Sequence, residues 1–155
     1  MGTCFEFDRE VMAVCLEASD QEDVLKKMAQ KLYNADYVLE TYSEAIILRE
    51  RSFPTGLPTG INGVAIPHTD VCHVKAPMIA VGTLRTPVEF KSMGGLEETV
   101  SVKIVFMLAM NSGDNQVRLL SQLMQVIQDQ HLLEQLAAAK SVSDLVELLN
   151  GKIYL

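Results

Sequence analysis

One histidine stands where its side chain could do covalent chemistry. His68 directly follows Pro67 at the end of a short apolar run, and a segment rich in glycine and proline, residues 52–63, leads into that run. Because Pro67 restricts the local backbone, we expect the imidazole at a strand end, exposed above the edge of a sheet. A neutral imidazole is a nucleophile toward phosphorus, and histidine forms covalent intermediates. The residues by themselves leave a second interpretation open, in which His68 is an ordinary surface histidine.

Four potential metal ligands lie close together here, so a metal site is a further interpretation. They are His68, Asp70, Cys72 and His73. Their spacing matches no standard zinc pattern, and we expect no metal. Nothing near Cys72 has the electropositive character that lowers the pKa of a thiol, so a buried, unreactive thiol is expected. His73 is expected in a loop or at a strand edge rather than in catalysis.

A strand and two helices are predicted before the histidine. Residues 11–16 form an apolar run with β-branched members, which indicates a strand. A capping box at residues 19–22 begins a helix that ends in the turn chemistry of residues 34–36. A second capping box at residues 41–44 begins another helix, which runs to about Arg51. The glycines and prolines that follow predict an irregular loop, and long loops in compact domains are commonly functional.

Strands and then helices are predicted from the histidine onward. The strands are residues 64–66, 78–84, 88–90 and 100–110, the second and third being paired across a turn at residues 85–87. The helices are residues 117–127, 132–138 and 142–149, the last capped by Ser141 and ended by Asn150 and Gly151. Strands in the middle with helices on both sides predict an α/β fold. We expect one domain over residues 1–155, a sandwich with a central mixed β-sheet flanked by α-helices.

Charge and composition exclude several classes of function. The net charge is −7 with no run of basic residues, which disfavours nucleic acid as a partner. No segment approaches the roughly 20 apolar residues of a membrane-spanning helix, and residues 1–10 lack a secretory signal, so a cytoplasmic protein is expected. The cysteines Cys4, Cys15 and Cys72 are scattered and odd in number, which suits reduced thiols.

Specific residues carry a resemblance to a known family. Residues 49–51, Thr55 and Gly56, and above all the Gly-Val-Ala-Ile-Pro-His run of residues 63–68, resemble the signature of the fructose/mannitol-type enzyme IIA domains of bacterial sugar phosphotransferase systems. The similarity continues through residues 102–109 and the ending at 141–151, so that it covers roughly residues 10–151. It implies the enzyme IIA fold.

The resemblance also implies the roles of particular residues. His68 matches the family's phosphate acceptor, and Arg49 matches an arginine beside it, whose guanidinium can bind two phosphoryl oxygens. The helix-end position of Arg49 also suits a solvated cation. Many members have a second histidine at the position of Gln116, and glutamine donates a hydrogen bond without carrying charge. Thr69 is the adjacent hydroxyl that could orient the imidazole or the phosphate, and Ser92 is another.

The implied function is that of a covalent phosphoryl carrier without a cofactor. Such proteins receive phosphate from the histidine phosphocarrier protein HPr and pass it to a cysteine of the cognate enzyme IIB, and they associate with the membrane only through enzyme IIC. The Gln116 departure and the loop at residues 53–56 most resemble the galactitol-type branch, so a polyol or related sugar is expected. A regulatory enzyme IIA-like protein is the alternative. We expect a free-standing subunit with transient docking and an apolar rim around His68. The candidates for this rim are Leu57, Ile61 and Val71, and for each of them a position facing the core is equally open.

Overall fold

A mixed β-sheet lies between two layers of helices in the computed structural model, which describes residues 5–60 and 62–154. The predicted α/β sandwich with a central mixed sheet is confirmed. The strands are β1 (Ala13–Leu16), β2 (Gly56–Leu57), β3 (Gly63–Ala65), β4 (Met78–Ser92) and β5 (Gly95–Ala109). The helices are α1 (Gln21–Asn34), α2 (Tyr42–Ser52), α3 (Gly113–Gln128), α4 (Gln130–Ala137) and α5 (Val142–Leu149). Short 3-10 turns span Arg9–Val11 and Val71–His73.

The sheet order is β1-β4-β2-β3-β5, and β4 also pairs directly with β5. Strand β1 runs parallel to β4, and β3 runs parallel to β5, whereas β4 and β5 form a long antiparallel hairpin. The two short strands β2 and β3 pair with each other and bridge the long ones. The end of β3, from which the chain continues to His68, is therefore held by its neighbours on both sides.

The second half of strand β5, residues 104–109, is apolar without interruption. Ile104, Phe106 and Leu108 pack with the helices α3, α4 and α5, while Val105 and Met107 pack with α1 and α2 on the other face. Successive side chains of a strand point to opposite faces, and both faces are covered here. Two hydrophobic cores, one on each side of the sheet, follow from this alternation.

The region around Pro87 departs from the prediction. Residues 78–84 and 88–90 were expected as two strands paired across a turn with each other, but they form the single strand β4, and both parts pair with β5. The register shifts between Thr83 and Val88, and residues 85–87 are exposed at that irregularity. A proline lacks the N–H that a regular ladder needs, so a bulge is one of the places where a strand tolerates it. The hairpin turn lies instead at Met93 and Gly94.

Two further local predictions change in detail. The loop over residues 52–63 was expected to hold no regular structure, yet Gly56–Leu57 pairs with β3 as strand β2. Thr41 precedes α2 without capping it, because its hydroxyl is bonded to Nδ1 of His73 at 2.8 Å. The other caps form as ordinary N-caps: the carboxylate of Asp20 and the hydroxyl of Ser141 accept backbone N–H groups at the starts of α1 and α5.

Two glycines are required by close packing of the strands that position the site. A Cβ atom on Gly63 would lie 2.1 Å from the carbonyl oxygen of Ser101, and one on Gly56 would lie 2.6 Å from that of Lys91. Both obstacles are backbone atoms of neighbouring strands, which cannot move aside without disturbing the sheet. The two glycines therefore set how closely β2 and β3 approach the long hairpin.

We expect Gly63→Ala to lower the free energy of unfolding by about 1–3 kcal/mol, the usual cost of overpacking. Denaturant titration followed by circular dichroism measures it. Gly113→Ala is the matched control, since a Cβ there meets nothing within 4 Å, and it should change stability by less than about 1 kcal/mol. Equal midpoints for Gly63→Ala and the wild type would contradict the packing argument.

Candidate functional site

His68 lines a surface cavity of about 390 Å³ at one end of the sheet. The cavity lies between the loop after α2 and the β4–β5 hairpin turn. Its described lining residues are Ser52, Phe53, Pro54, Thr55, His68, Ser92, Met93, Gly94 and Gly95. Two segments far apart in sequence thus enclose the histidine, and one of them is the glycine- and proline-rich segment from which the sequence predicted a site.

The imidazole of His68 is held in one orientation. Its Nδ1 lies 2.8 Å from the backbone carbonyl oxygen of Ile66. A carbonyl oxygen only accepts hydrogen bonds, so Nδ1 must carry the hydrogen and donate it. In the neutral ring, Nε2 then has the free lone pair, and the half-buried side chain meets the cavity. The arrangement presents a single, defined nucleophilic nitrogen.

The backbone that carries His68 is fixed by the sheet. Ala65 of β3 pairs with Val105 of β5, and two residues later the carbonyl of Pro67 accepts the N–H of Leu108 at 3.0 Å. The predicted position of His68, just past a strand that a proline ends, is therefore where the structure places it. Strand β5 continues alongside and supplies the support.

A buried carboxylate next to this backbone was missed from the sequence. Glu50 is 2% exposed, and its side chain accepts the backbone N–H of Thr55 at 2.7 Å and the Thr55 hydroxyl at 2.9 Å. Burial raises the pKa of Glu50, and these two hydrogen bonds act in the opposite direction. The signal was available, because Glu50 follows the buried residues Tyr42 and Ile46 at helical spacing and so occupies the inward face of α2.

Arg49 is not among the described lining residues of the cavity, but it contacts one of them. Its Cζ atom is 4.2 Å from the centre of the Phe53 ring, a cation–π contact, and Phe53 lines the cavity. Among the residues that the structure describes, no acidic side chain forms an ion pair with Arg49, whereas the neighbouring Arg51 is paired with Glu22. The charge of the Arg49 guanidinium is consequently not neutralised by any described acidic side chain.

Gln116 and Thr69 are not among the described residues that line the cavity. Gln116 lies in the first turn of α3, where its N–H donates to Ser112, and its buried Oε1 has no hydrogen-bond partner in the described part of the chain. Thr69 is buried directly after His68. Ser92 does line the cavity, and its hydroxyl accepts the N–H of Gly94 in the hairpin turn.

Of the three residues predicted for an apolar rim, the two that the structure describes do not line the cavity. Leu57 and Val71 are half-buried, and Leu57 packs against the core, while Ile61 lies outside the described residues. Phe53 and Met93 instead line the cavity and are 59% and 47% exposed. They come from opposite sides of the opening, a proximity that only the folded chain creates.

Cys72 and His73 lie in a short turn a few residues after His68. Cys72 is exposed, so the prediction of a buried thiol is wrong. It lies in the short turn Val71–His73, which has no buried residue.

Within residues 5–60 and 62–154, no three side chains of the His, Cys, Asp or Glu type gather as a metal site would require. In the same residues, no helix is long and apolar enough to cross a membrane.

Comparison with protein families gives a match over nearly the whole chain. Residues 6–152 match the model described as the phosphoenolpyruvate-dependent sugar phosphotransferase system, EIIA 2. A fructose-specific EIIABC component of Bacillus subtilis is 31% identical over 139 residues, which are 87% of this chain but 21% of that protein. A galactitol-specific EIIA component of Escherichia coli is 28% identical over 117 residues, covering 76% of this chain and 77% of that protein.

Solved structures show the same fold. The enzyme IIA of the Escherichia coli mannitol system, determined in complex with phosphorylated enzyme IIB, superposes with a TM-score of 0.77 at 23% identity. The superposition covers 94% of this chain and 97% of that one. At this level of identity the likeness establishes the fold, that is, the arrangement of strands and helices.

Proposed function

The chain belongs to the EIIA 2 family of the phosphoenolpyruvate-dependent sugar phosphotransferase system and is a phosphotransferase component, and from that membership we propose that His68 carries the phosphoryl group. One observation supports the proposal most directly. The bond from Nδ1 to the Ile66 carbonyl leaves Nε2 as the free nitrogen of a ring that meets an open cavity. Nε2 is therefore the proposed site of phosphorylation.

The proposed transfer has two steps, and each exchanges one bond to phosphorus. In the first, the Nε2 lone pair forms an N–P bond while the N–P bond to the donor histidine of phospho-HPr breaks, its electron pair remaining on the donor ring. In the second, a cysteine thiolate of enzyme IIB forms an S–P bond, and the electron pair of the N–P bond returns to Nε2 of His68. Positioning and charge neutralisation supply most of the catalysis in such transfers.

Three side chains are proposed to assist the phosphoryl group. Arg49, which contacts the cavity-lining Phe53, would bind the phosphoryl oxygens, since no acidic side chain among the described residues pairs with it. Gln116 would take the position of the family's second histidine and donate from its amide nitrogen, giving a hydrogen bond without charge. The hydroxyl of Thr69 would orient the ring or the phosphate. No cofactor or metal is part of this proposal.

The partners and the sugar extend the proposal further. We propose HPr as donor, enzyme IIB as acceptor, an indirect association with the membrane through enzyme IIC, and a cytoplasmic location for residues 1–155 as one such domain. Galactitol or a related polyol is the proposed sugar. The galactitol-specific relative supports this, because the match extends over 77% of that protein. Transfer onward to galactitol-type and fructose-type enzyme IIB separates the two sugar classes directly.

The test is to incubate the purified protein with phosphoenolpyruvate, enzyme I and HPr, and to follow its intact mass. A gain of one phosphoryl group that is labile in acid and stable in base supports the proposal, since phosphohistidine has that stability. Unchanged mass under conditions that phosphorylate HPr would overturn it. A protein that is phosphorylated but passes phosphate to no enzyme IIB would instead have the alternative, regulatory role.

The exposed rim provides a prediction about docking. We expect Met93→Ser to raise the KM for phospho-HPr by about three- to tenfold, because a relay interface depends on a few apolar anchors near the reacting group. Initial rates at increasing concentrations of phospho-HPr measure the change. Met124→Ser is the matched control, since Met124 is 38% exposed on α3 and does not line the cavity. Equal KM values for both variants would count against Met93 as an anchor.

A further inference from the structure

One buried group beside the cavity has no part in the transfer described above. Glu50 is 2% exposed and directly follows Arg49 in the sequence. In the described part of the chain it has no ion-pair partner, and its hydrogen bonds are those from Thr55. A carboxylate without a neutralising charge is costly to bury unless donors satisfy it. Here one threonine supplies both donors.

The direction of each hydrogen bond can be assigned. The Thr55 hydroxyl has one hydrogen, and its oxygen also lies 3.2 Å from the backbone nitrogen of Ile66. That nitrogen can only donate, so the hydroxyl accepts from Ile66 and gives its own hydrogen to Glu50. The N–H of Ile66 therefore donates to the Thr55 hydroxyl, and the Thr55 hydroxyl donates to the Glu50 carboxylate. The last group of this series must be an acceptor, and Glu50 is that acceptor.

The same residue, Ile66, holds the reactive ring. Its N–H belongs to the series that ends on Glu50, and its carbonyl accepts Nδ1–H of His68 at 2.8 Å. Helix α2 is thus connected to His68 by three consecutive hydrogen bonds. The carbonyl of the intervening Pro67 is held separately by Leu108.

We propose that Glu50 and Thr55 are positioning residues that hold the Ile66 backbone, so that its carbonyl keeps His68 in the tautomer with hydrogen on Nδ1 and a free Nε2. The effect on the tautomer of His68 can be measured in the unphosphorylated protein and does not depend on the proposed function. The effect on the rate of phosphoryl transfer rests on the proposed function. A purely structural role, in which this cluster only ends α2 and closes the following loop, would change stability without changing the ring.

Three variants separate these roles. Thr55→Val keeps the shape but removes the hydroxyl, and Thr55→Ser restores it. Thr83→Val is the matched control, because Thr83 is also buried and its hydroxyl also accepts a backbone N–H, that of Cys15 at 3.0 Å, away from the cavity. The readouts are the ¹⁵N shifts of the His68 ring nitrogens in the unphosphorylated protein and the initial rate of phosphorylation by phospho-HPr.

For Thr55→Val we expect a mixture of His68 tautomers and a rate lowered by about tenfold, since misplacement of a reacting group is costly. Thr55→Ser should return both to within about twofold of the wild type, and Thr83→Val should leave the ring shifts unchanged whatever its stability. A folded Thr55→Val with the wild-type ring spectrum overturns the proposal.

If Thr55→Val does not fold, Glu50→Leu is decisive in its place. Glutamine would be a poor choice, because one Glu50 oxygen already lies within 3.2 Å of both Thr55 donors and an amide oxygen can accept two hydrogen bonds, whereas leucine has no acceptor at all. A folded Glu50→Leu is expected to show the tautomer mixture, and wild-type shifts in it overturn the proposal. Because the ring spectrum needs neither HPr nor phosphate, an inactive wild-type protein would overturn the proposed function and still leave the positioning role to be judged.

Discussion

Replacing His68 by alanine is expected to abolish phosphorylation, with a loss of at least about 10³-fold in rate. The reason is that no other group can substitute for the nucleophile. Within the described part of the chain, His68 is the one histidine that lines the cavity, and its Nε2 is the free nitrogen there. The measurement is the intact mass of the protein after incubation with phosphoenolpyruvate, enzyme I and HPr.

The remaining histidines provide the controls for this result. His73 is bonded through Nδ1 to Thr41, and His131 is exposed on α4. His73→Gln and His131→Gln are both expected to gain one phosphoryl group, at rates within about threefold of the wild type. Phosphate on His68→Ala, or its loss from either control, would show that the acceptor has been misassigned.

Replacing Arg49 by alanine is expected to lower the rate of phosphorylation by about 10²-fold, the usual effect of removing one group that stabilises charge in the transition state. Arg49→Lys keeps the charge but not the two parallel donors, and should fall between alanine and the wild type. Because the guanidinium acts on the transferring group, kcat should fall more than KM rises. Initial rates over a range of phospho-HPr concentrations separate the two quantities.

Arg51→Ala is the matched control for the arginine prediction. Arg51 is exposed on the same helix and its guanidinium is already paired with Glu22, so its loss should change the rate by less than about threefold. Equal effects of the two substitutions would mean that the helix end contributes only a general positive potential. A wild-type rate in Arg49→Ala would remove Arg49 from the proposed site altogether.

Features that depend on neighbours in the chain could be predicted from the sequence. Pro67 ends a strand wherever the strand packs, which placed His68 at a strand end. Ser141 could be predicted as an N-cap because its side chain bonds to a backbone N–H only three residues away. Strand β5 could be predicted because its apolar residues are contiguous in the sequence. The identity of the family also rested on contiguous residues, chiefly 63–68, and the match over residues 6–152 confirmed it.

Features that depend on pairing between distant segments could not be predicted in this way. Pro87 looked like a turn, because its sequence gives no sign that the bulge in β4 lets the strand continue to Ser92. Cys72 was expected to be buried, but the turn that carries it faces solvent. In both cases the local pattern suited two structures, and packing against other elements selected one of them.

The same distinction between local sequence and tertiary contacts applies to the residues in and around the cavity. The sequence by itself placed His68 at a strand end and Arg49 near the end of a helix, because both follow from local chain geometry, and the family resemblance of residues 63–68 marked His68 as the proposed acceptor. Only the tertiary structure brought Phe53 and Met93 to the same opening and joined Glu50 through Thr55 to Ile66. Those contacts form when β2 and β3 pair with the long hairpin, and the free energy that holds them comes from burial and hydrogen bonding across the whole sheet.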